Sequence, residues 1–180
     1  TALRFLSALP PAQVRSACDI RSLFTGGEKL GPELIDWGRA AFGITMSEVF
    51  GQTEGNLIIG NSPKLFPIRV GSMGRALPGH EVEIVDETGR VLPAGTTGII
   101  GLKRPDPVML LEYWKRPDAT ATKFAGDWML YGDLATKDED GYFWFQGRND
   151  DIIKSSGYRI GPTEVEDCLV QHPAVRLAGV

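Results

Sequence analysis

The sequence predicts an α/β segment, then a β-rich segment, then the beginning of a small α+β domain. Three observations support this prediction. Strand, helix and strand patterns alternate in the first third of the chain, and short β-like runs separated by turn residues fill the middle. A charged, glycine-bounded stretch then precedes a last helix signal. These changes of pattern place the domain boundaries at residues 1–66, 67–148 and 149–180.

The first segment contains one strand–helix–strand unit. An apolar strand is predicted over residues 20–25, just before two glycines. A helix is predicted to begin at Pro32, since Pro fits the first helical position, and to end at Gly43, since Gly fits the position after the last turn. Residues 44–50 alternate as in a second strand. Such a unit predicts two parallel strands whose following loops meet at one edge of the sheet.

The middle segment has the pattern of a small antiparallel sheet or barrel. Sequences typical of chain reversals separate its β-like runs, which are residues 80–85, 97–103, 108–114 and 142–146. A short helix is predicted over residues 117–125. Residues 94–98 (AGTTG) imitate a phosphate-binding loop. They lack a following lysine and lead into a strand, so we interpret them as a β-turn.

The last segment opens with GRNDDIIKSSGYRIGPTEVE at residues 147–166. So many ionic groups do not suit a core, and they predict a mobile connection that meets a charged ligand or a partner surface. A salt-bridged interdomain linker is the alternative interpretation. A helix is predicted to begin at Pro162 and a strand to cover residues 175–180.

Composition narrows the possible classes of function. With a net charge of −4 and no basic stripe, the chain is not expected to bind nucleic acid. No apolar run has the length of a membrane span. Cys18 and Cys168 lie far apart and form no CxxC pair, which predicts reduced thiols in a cytoplasmic protein rather than zinc or disulfides. The missing initiator Met and a final run that ends while still strand-like predict a piece of a longer protein, of unknown oligomeric state.

Three separated motifs point to one chemistry. FGQTEG occupies residues 50–55, YGDLA occupies residues 131–135, and the charged stretch follows. In this order they resemble the adenylate-forming (AMP-binding) acyl-CoA synthetases, and residues 158–162 most resemble the medium-chain branch. The resemblance covers the chain from Ser22 onwards. It implies the C-terminal part of the family's large domain, a hinge, and the start of its small domain.

The resemblance implies a nucleotide site for ATP or AMP with Mg²⁺. Thr53 would contact the α-phosphate and Glu54 the metal, both as catalytic groups, and carboxylate oxygen is a suitable ligand for Mg²⁺. Phe50 would face the adenine, and Asp133 and Arg148 would bind the ribose. The other implied cofactor-binding positions are Gly27, Glu28, Lys29, Gly51 and Gln52.

The resemblance also implies acyl transfer to coenzyme A. Asp150 would be the hinge, and Arg159, as a third catalytic group, would meet phosphate in one state. Ser156 and Gly157 would line the path of the coenzyme A thiol. Gly51 stands where acetyl-specific relatives carry Trp, which implies room for a longer acyl chain. The alternative is that this glycine only permits a turn.

The expected function is that of a longer ATP-dependent acyl-CoA ligase. It would activate a carboxylic acid, such as a short- or medium-chain fatty acid, as acyl-AMP and transfer the acyl group to coenzyme A. The piece alone is expected to be inactive, because the family's phosphate loop would lie upstream and a catalytic lysine downstream. Two alternatives stay open: an aryl-acid or peptide-synthetase type of adenylating enzyme, and a non-catalytic adenylate-binding or scaffold relative.

Overall fold

The computed structural model describes residues 2–27, 30–149, 151, 153–155, 158–172, 174–175 and 178–180. The chain divides into two compact units. The first comprises Thr1–His80 with Gly141–Phe143, and the second comprises Glu81–Asp140 with Trp144–Val180. Within the described part of the chain, no helix combines the length and apolar character that crossing a bilayer requires.

The first unit combines short helices with a four-stranded sheet. Its elements are α1 (Ala2–Leu6), α2 (Pro11–Ala17), β1 (Phe24–Gly26), α3 (Pro32–Phe42), β2 (Ser47–Gln52), β3 (Asn56–Gly60) and β4 (Arg75–Ala76). The order in the sheet is β1-β2-β3-β4. The β1 and β2 strands run parallel, as predicted, and the other pairs are antiparallel. The sequence therefore predicts the parallel pair correctly but does not predict β3 and β4.

Helix α3 confirms the predicted helix at both ends. Pro32 is its first residue, and Gly43 follows it with φ 73°, donating its N–H to Arg39 O. The helix packs on the sheet through a core of Leu30, Ile35 and Met46. The two strands differ from prediction in extent. Pairing begins at Phe24 opposite Ser47, so β1 is shorter than predicted, and β2 runs further because it continues into a hairpin with β3.

The second unit is built on an antiparallel sheet. Its elements are β5 (Val82–Val85), β6 (Gly98–Lys103), α4 (Pro117–Thr122), β7 (Phe124–Ala125), β8 (Trp128–Lys137), β9 (Phe143–Arg148, in this unit from Trp144), β10 (Ile153–Ser155), β11 (Tyr158–Ile160) and α5 (Pro162–Leu169). The sheet order is β5-β6-β8-β7, with β9 also paired to β8. Val85, Ile99, Trp128 and Leu134 form its buried core. The predicted antiparallel sheet and the helices at Pro117 and Pro162 are thus present.

Two predicted strands are wrong and one predicted turn is confirmed. Residues 108–114 form no strand, because Asp106 closes a turn by accepting the N–H of Val108 (3.0 Å) and of Met109 (3.1 Å). The described residues between 175 and 180 form no strand either. In the AGTTG sequence, Gly95 has φ 78° and Thr96 N donates to Pro93 O (3.2 Å), which is a β-turn.

Candidate functional site

The first part of the site is the edge of the sheet where β1 and β2 end. Because these strands are parallel and Gly26 lies opposite Val49, their carboxyl ends share one edge, the usual place for ligands in α/β sheets. A Cβ atom at Gly26 would lie 2.7 Å from Val49 O, so glycine permits this close approach. Gly27 follows with φ 86°, a conformation that favours glycine. Both glycines therefore have a structural reason besides any contact with a nucleotide.

The FGQTEG motif forms the end of β2 and the turn after it. Phe50, Gly51 and Gln52 belong to the strand, and Gly55 N closes the turn by donating to Gln52 O (3.1 Å). Thr53 is exposed and Glu54 is half-buried on this turn. The structure therefore brings the predicted phosphate- and metal-binding side chains to the edge of the sheet where Gly27 also lies.

The carboxylate at this edge is compatible with a metal ion that is bound mainly through the phosphates of a nucleotide. Among the described residues, no group of three or more His, Cys, Asp or Glu side chains could hold a metal. Mg²⁺ commonly takes only one or two protein carboxylates and completes its shell with waters and substrate phosphates. One carboxylate at Glu54 is compatible with that mode of binding.

Gly51 has a local structural reason of its own. The pairing of β2 with β3 shifts between Phe50 and Gly51, and a Cβ atom at Gly51 would overlap the backbone carbonyl of Asn56. Any side chain at this position would require the hairpin to move. The space expected for an acyl chain at Gly51 stays a prediction, and the hairpin alone explains the glycine.

A hydrogen bond that the sequence did not predict holds the loop after β1. A carboxylate oxygen of Glu48 in β2 accepts the N–H of Leu30 (3.3 Å), the first described residue after the predicted adenine-binding positions 28 and 29. Glu48 thus ties the loop after β1 to the neighbouring strand. Its only signal in the sequence is a charged residue inside an otherwise uncharged strand.

The second unit, considered by itself, has an irregularity in β8. Ile99 pairs with Leu134 and Gly101 with Leu130, so one residue of β6 lies opposite three residues of β8, at positions 131–133. Gly132 lies at the middle of this bulge with φ 80°. Asp133 follows it and is only 7% exposed. Asp133 is therefore a strand residue redirected by a bulge, a feature found next to many active sites, and not a residue of a turn.

The bulge connects Asp133 with Arg148. Asn149 N donates to Gly132 O (2.9 Å), which brings the end of β9 alongside the bulge. Arg148 is the last residue of β9, and its side chain is 58% exposed with Nε 3.9 Å from Asp151 Oδ2. An exposed ion pair at this distance contributes little to stability. The structure thus brings together the two residues predicted to bind the ribose, through an Asn149 contact that the sequence did not predict.

The remaining predicted residues are only partly covered by the structure. Glu28, Lys29, Asp150, Ser156 and Gly157 lie outside the described residues. Arg159 lies in β11, where its backbone pairs with Lys154 of β10. The roles predicted for these residues stay predictions.

A cavity in the second unit is not lined by the predicted site residues. It has a volume of about 620 Å³ and adjoins the sheet core at Val85, Ile99 and Leu134. Its polar walls include Asp86, Gln146 and Asn149. The cavity therefore lies beside the Asp133–Arg148 pair, at neighbouring residues, and the nucleotide positions are better identified from the bulge than from the cavity.

The chain is similar to a known enzyme family and to acyl-CoA ligases and synthetases. The family described as "AMP-binding enzyme" matches residues 2–114. The uncharacterized acyl-CoA ligase YtcI of Bacillus subtilis is 47% identical over 161 residues, which are 89% of this chain and 30% of that protein. The mitochondrial acyl-coenzyme A synthetase ACSM5 of Mus musculus is 48% identical over 159 residues, 87% of this chain and 27% of that protein. The chain thus spans less than a third of the length of these relatives.

A solved structure supports the fold. The O-succinylbenzoate coenzyme A synthetase of Bacillus subtilis, in complex with ATP and magnesium ion, superposes with a TM-score of 0.79 at 31% identity. The match covers 94% of this chain and 36% of that one. Because the family match covers more than half of the residues, the chain belongs to the AMP-binding enzyme family.

Proposed function

We propose that this chain forms part of the nucleotide site of a longer ATP-dependent acid–thiol ligase. The observation that supports this best is the bulge of β8, which brings buried Asp133 next to Arg148 through the bond from Asn149 N to Gly132 O. A carboxylate and a guanidinium on two backbone segments joined by a hydrogen bond suit a ribose with two adjacent hydroxyls. The carboxylate accepts hydrogen bonds from the diol, and the guanidinium donates to its oxygens.

The first half-reaction joins the acid to the nucleotide. A carboxylate oxygen of the acid attacks the α-phosphorus of ATP, and pyrophosphate leaves with the electrons of the broken phosphoanhydride bond. Phe50 at the end of β2 offers a face for the adenine, and Thr53 on the adjoining turn offers a hydroxyl donor to the α-phosphate. Glu54 would hold Mg²⁺, which screens the charge of the phosphates.

The second half-reaction releases the product. The thiol of coenzyme A loses its proton and attacks the acyl carbonyl, a thioester forms, and AMP leaves. We place this step in the region of Ser156, Gly157 and Arg159, with Asp150 as the hinge between the two half-reactions. The proposed subdomain limits, residues 1–66, 67–148 and 149–180, put the hinge at the start of the small C-terminal domain.

The proposed acid is a short- or medium-chain fatty acid. Two acyl-CoA-forming relatives near 47% identity support an acyl substrate. The similarity to the O-succinylbenzoate enzyme, at 31% identity, supports an aryl acid as the alternative substrate. A reducing compartment such as the cytoplasm fits the free, exposed thiols of Cys18 and Cys168.

The experiment is ATP–pyrophosphate exchange by the longer protein, with Asp133→Ala compared with wild type. Loss of hydrogen bonds to a charged group costs about 1.5–3 kcal/mol, so kcat/KM for ATP should fall about 10- to 100-fold. Asp36→Ala is the control, because Asp36 is exposed and pairs with Arg39 at the surface. Equal exchange by wild type and Asp133→Ala would contradict the proposed ribose site.

The choice of acid is measured in the same assay. Linear acids of increasing length and a series of aryl acids are compared with the wild-type longer protein. A maximum on linear acids supports the fatty-acid proposal, and a maximum on aryl acids replaces it with an aryl-acid ligase. No exchange with any acid would identify a non-catalytic adenylate-binding relative.

A further inference from the structure

The loop after β1 is attached at both of its ends to two consecutive residues of β2. At its start, Gly26 pairs with Val49, and a Cβ atom at Gly26 would lie 2.7 Å from Val49 O. At its end, Leu30 N donates to a carboxylate oxygen of Glu48 (3.3 Å). The first attachment is made by the backbone. The second depends on one side chain, and a substitution can therefore remove it.

The position of Leu30 is fixed by the core of the first unit. Leu30 is 3% exposed and packs with Ile35 of α3 and with Met46. A backbone N–H beside a buried side chain needs an acceptor, because an unpaired polar group away from water is costly. Glu48 supplies that acceptor, so loss of its carboxylate favours a different backbone path for the end of the loop.

Glu48 also lies on the same face of β2 as Phe50. Side chains alternate between the two faces of a strand, so positions 48 and 50 share a face. The shift in the pairing of β2 with β3 comes only after Phe50. Phe50 and Gly27 are the described residues predicted to contact the adenine. Glu48 is thus connected to both, to Phe50 along the strand and to the loop of Gly27 through Leu30.

We propose that Glu48 is a positioning residue that sets the distance between the loop after β1 and Phe50, and thereby the affinity for the adenine base. The inference rests on the proposed function, in which ATP lies at this edge of the sheet. Glu48 acts through Leu30 N. A loop that is already ordered binds a flat ring with a smaller loss of entropy than a loop that becomes ordered on binding.

The test is ATP–pyrophosphate exchange by the longer protein with Glu48→Ala, in which the KM values for ATP and for pyrophosphate are measured separately. Pyrophosphate carries no base, so its KM reports on the phosphate part of the site. Glu48→Ala is expected to raise KM for ATP about tenfold, which corresponds to about 1.4 kcal/mol, and to leave KM for pyrophosphate within about twofold of wild type. Loss of folded protein lowers the apparent kcat and changes neither KM. An unchanged KM for ATP, or an equal rise of both KM values, would overturn the proposal.

Two further variants separate the hydrogen bond from the charge. Glu48→Gln keeps an oxygen that can accept from Leu30 N, so its KM for ATP is expected within about threefold of wild type. Glu33→Ala removes an exposed carboxylate from the same unit and is expected to behave as wild type. A KM for ATP as high in Glu48→Gln as in Glu48→Ala would contradict a role through the hydrogen bond.

Glu48→Asp covers the case in which Glu48→Ala does not fold. It keeps the charge and is one methylene shorter, so the bond to Leu30 N lengthens beyond its present 3.3 Å. KM for ATP is then expected to rise about threefold or more, and no rise would also overturn the proposal.

Failure of the proposed function has a different signature. A wild-type longer protein without exchange on any acid would overturn that function, and calorimetric binding of AMP would then test Glu48 alone. The Kd for AMP is expected to rise about tenfold in Glu48→Ala. An unchanged Kd would overturn the inference.

Discussion

At the scale of single residues, the site depends on backbone geometry as much as on reactive side chains. Gly132 makes the bulge that redirects Asp133, and Gly51 lets the β2–β3 hairpin close against Asn56. Glu48 holds the loop after β1 through Leu30 N. These three residues influence the backbone of the candidate site without any contact with a nucleotide.

Gly51→Ala is predicted to destabilise the first unit. Its methyl group would overlap the Asn56 carbonyl, so the hairpin must shift, and overpacking of this kind costs about 1–3 kcal/mol. Urea unfolding measures the loss. Gly179→Ala, at an exposed position with open space, should stay within about 0.5 kcal/mol of wild type. Equal stability of the two variants would mean that the hairpin does not require glycine.

At this scale the sequence predicts side chains better than it predicts their placement. The FGQTEG motif and the pair Gly132-Asp133 could be found in the sequence because each is a short run of consecutive residues. Glu48 was missed because its partner, Leu30, is 18 positions away and is brought near only by the pairing of β1 with β2. The bulge was missed for the same reason, since it is defined by the register between β6 and β8, which are distant in sequence.

At the scale of elements, turns with their own hydrogen bonds order the β-rich unit. Asp86 Oδ1 accepts Thr88 Oγ1 (2.6 Å), Thr88 N (2.8 Å) and Arg90 N (3.0 Å). The Thr88 hydroxyl bond, then the Arg90 backbone bond, holds the pKa of the Asp86 carboxyl below its ordinary value. These bonds favour the ionised carboxylate in the folded state.

The sign of this pKa shift predicts an acid-dependent stability. A folded-state pKa below the unfolded value stabilises the protein above about pH 3.9, and that stability is lost as the pH falls through the lowered pKa. Asp86→Asn should therefore be less stable than wild type at pH 6, with a smaller difference at pH 3, as measured by urea unfolding. Glu87→Gln in the same turn is the control. A difference that does not change with pH would contradict the role of the Asp86 carboxylate.

Helices and strands were predicted correctly where Pro or Gly at their ends marks them in the sequence. They were missed or wrongly predicted where no such residue marks the ends. Pro and Gly mark α3, α4 and α5, and all three were predicted. The ten-residue strand β8 was missed because Gly132 interrupts it and most of its residues are buried without alternation. The false strand at residues 108–114 is apolar but irregular, and Leu111 and Trp114 within it are 93% and 81% exposed. An apolar run alone does not distinguish a strand from a surface loop.

At the scale of the whole molecule, each of the two units contains some of the residues predicted to bind the nucleotide. Gly27 and the FGQTEG motif belong to the first unit, and Asp133 and Arg148 belong to the second. The predicted limits, residues 1–66, 67–148 and 149–180, stay a prediction. The return of residues 141–143 to the first unit was not predictable, since it depends on the bridge between Gly74 and Phe143.

The isolated chain is predicted to have no measurable activity in ATP–pyrophosphate exchange. It spans only 27–30% of the length of its curated relatives, and we expect the rest of the longer protein to complete the nucleotide site. The assay compares the 180 residues with the longer protein at equal concentration. Exchange by the isolated chain would show that the residues present are sufficient for the first half-reaction.

The bond from Asn149 N to Gly132 O joins the end of β9 to the bulge of β8. An amide proton bonded within a sheet exchanges with deuterium only when that sheet opens, so the Asn149 amide should be slow to exchange at every stage of turnover. In the proposed mechanism Asp133 and Arg148 both precede the hinge at residue 150, so the ribose would stay bound while the groups after the hinge move. Under the proposed function, acyl-AMP would then not need to leave the protein between activation and transfer, and its mixed anhydride would be shielded from hydrolysis.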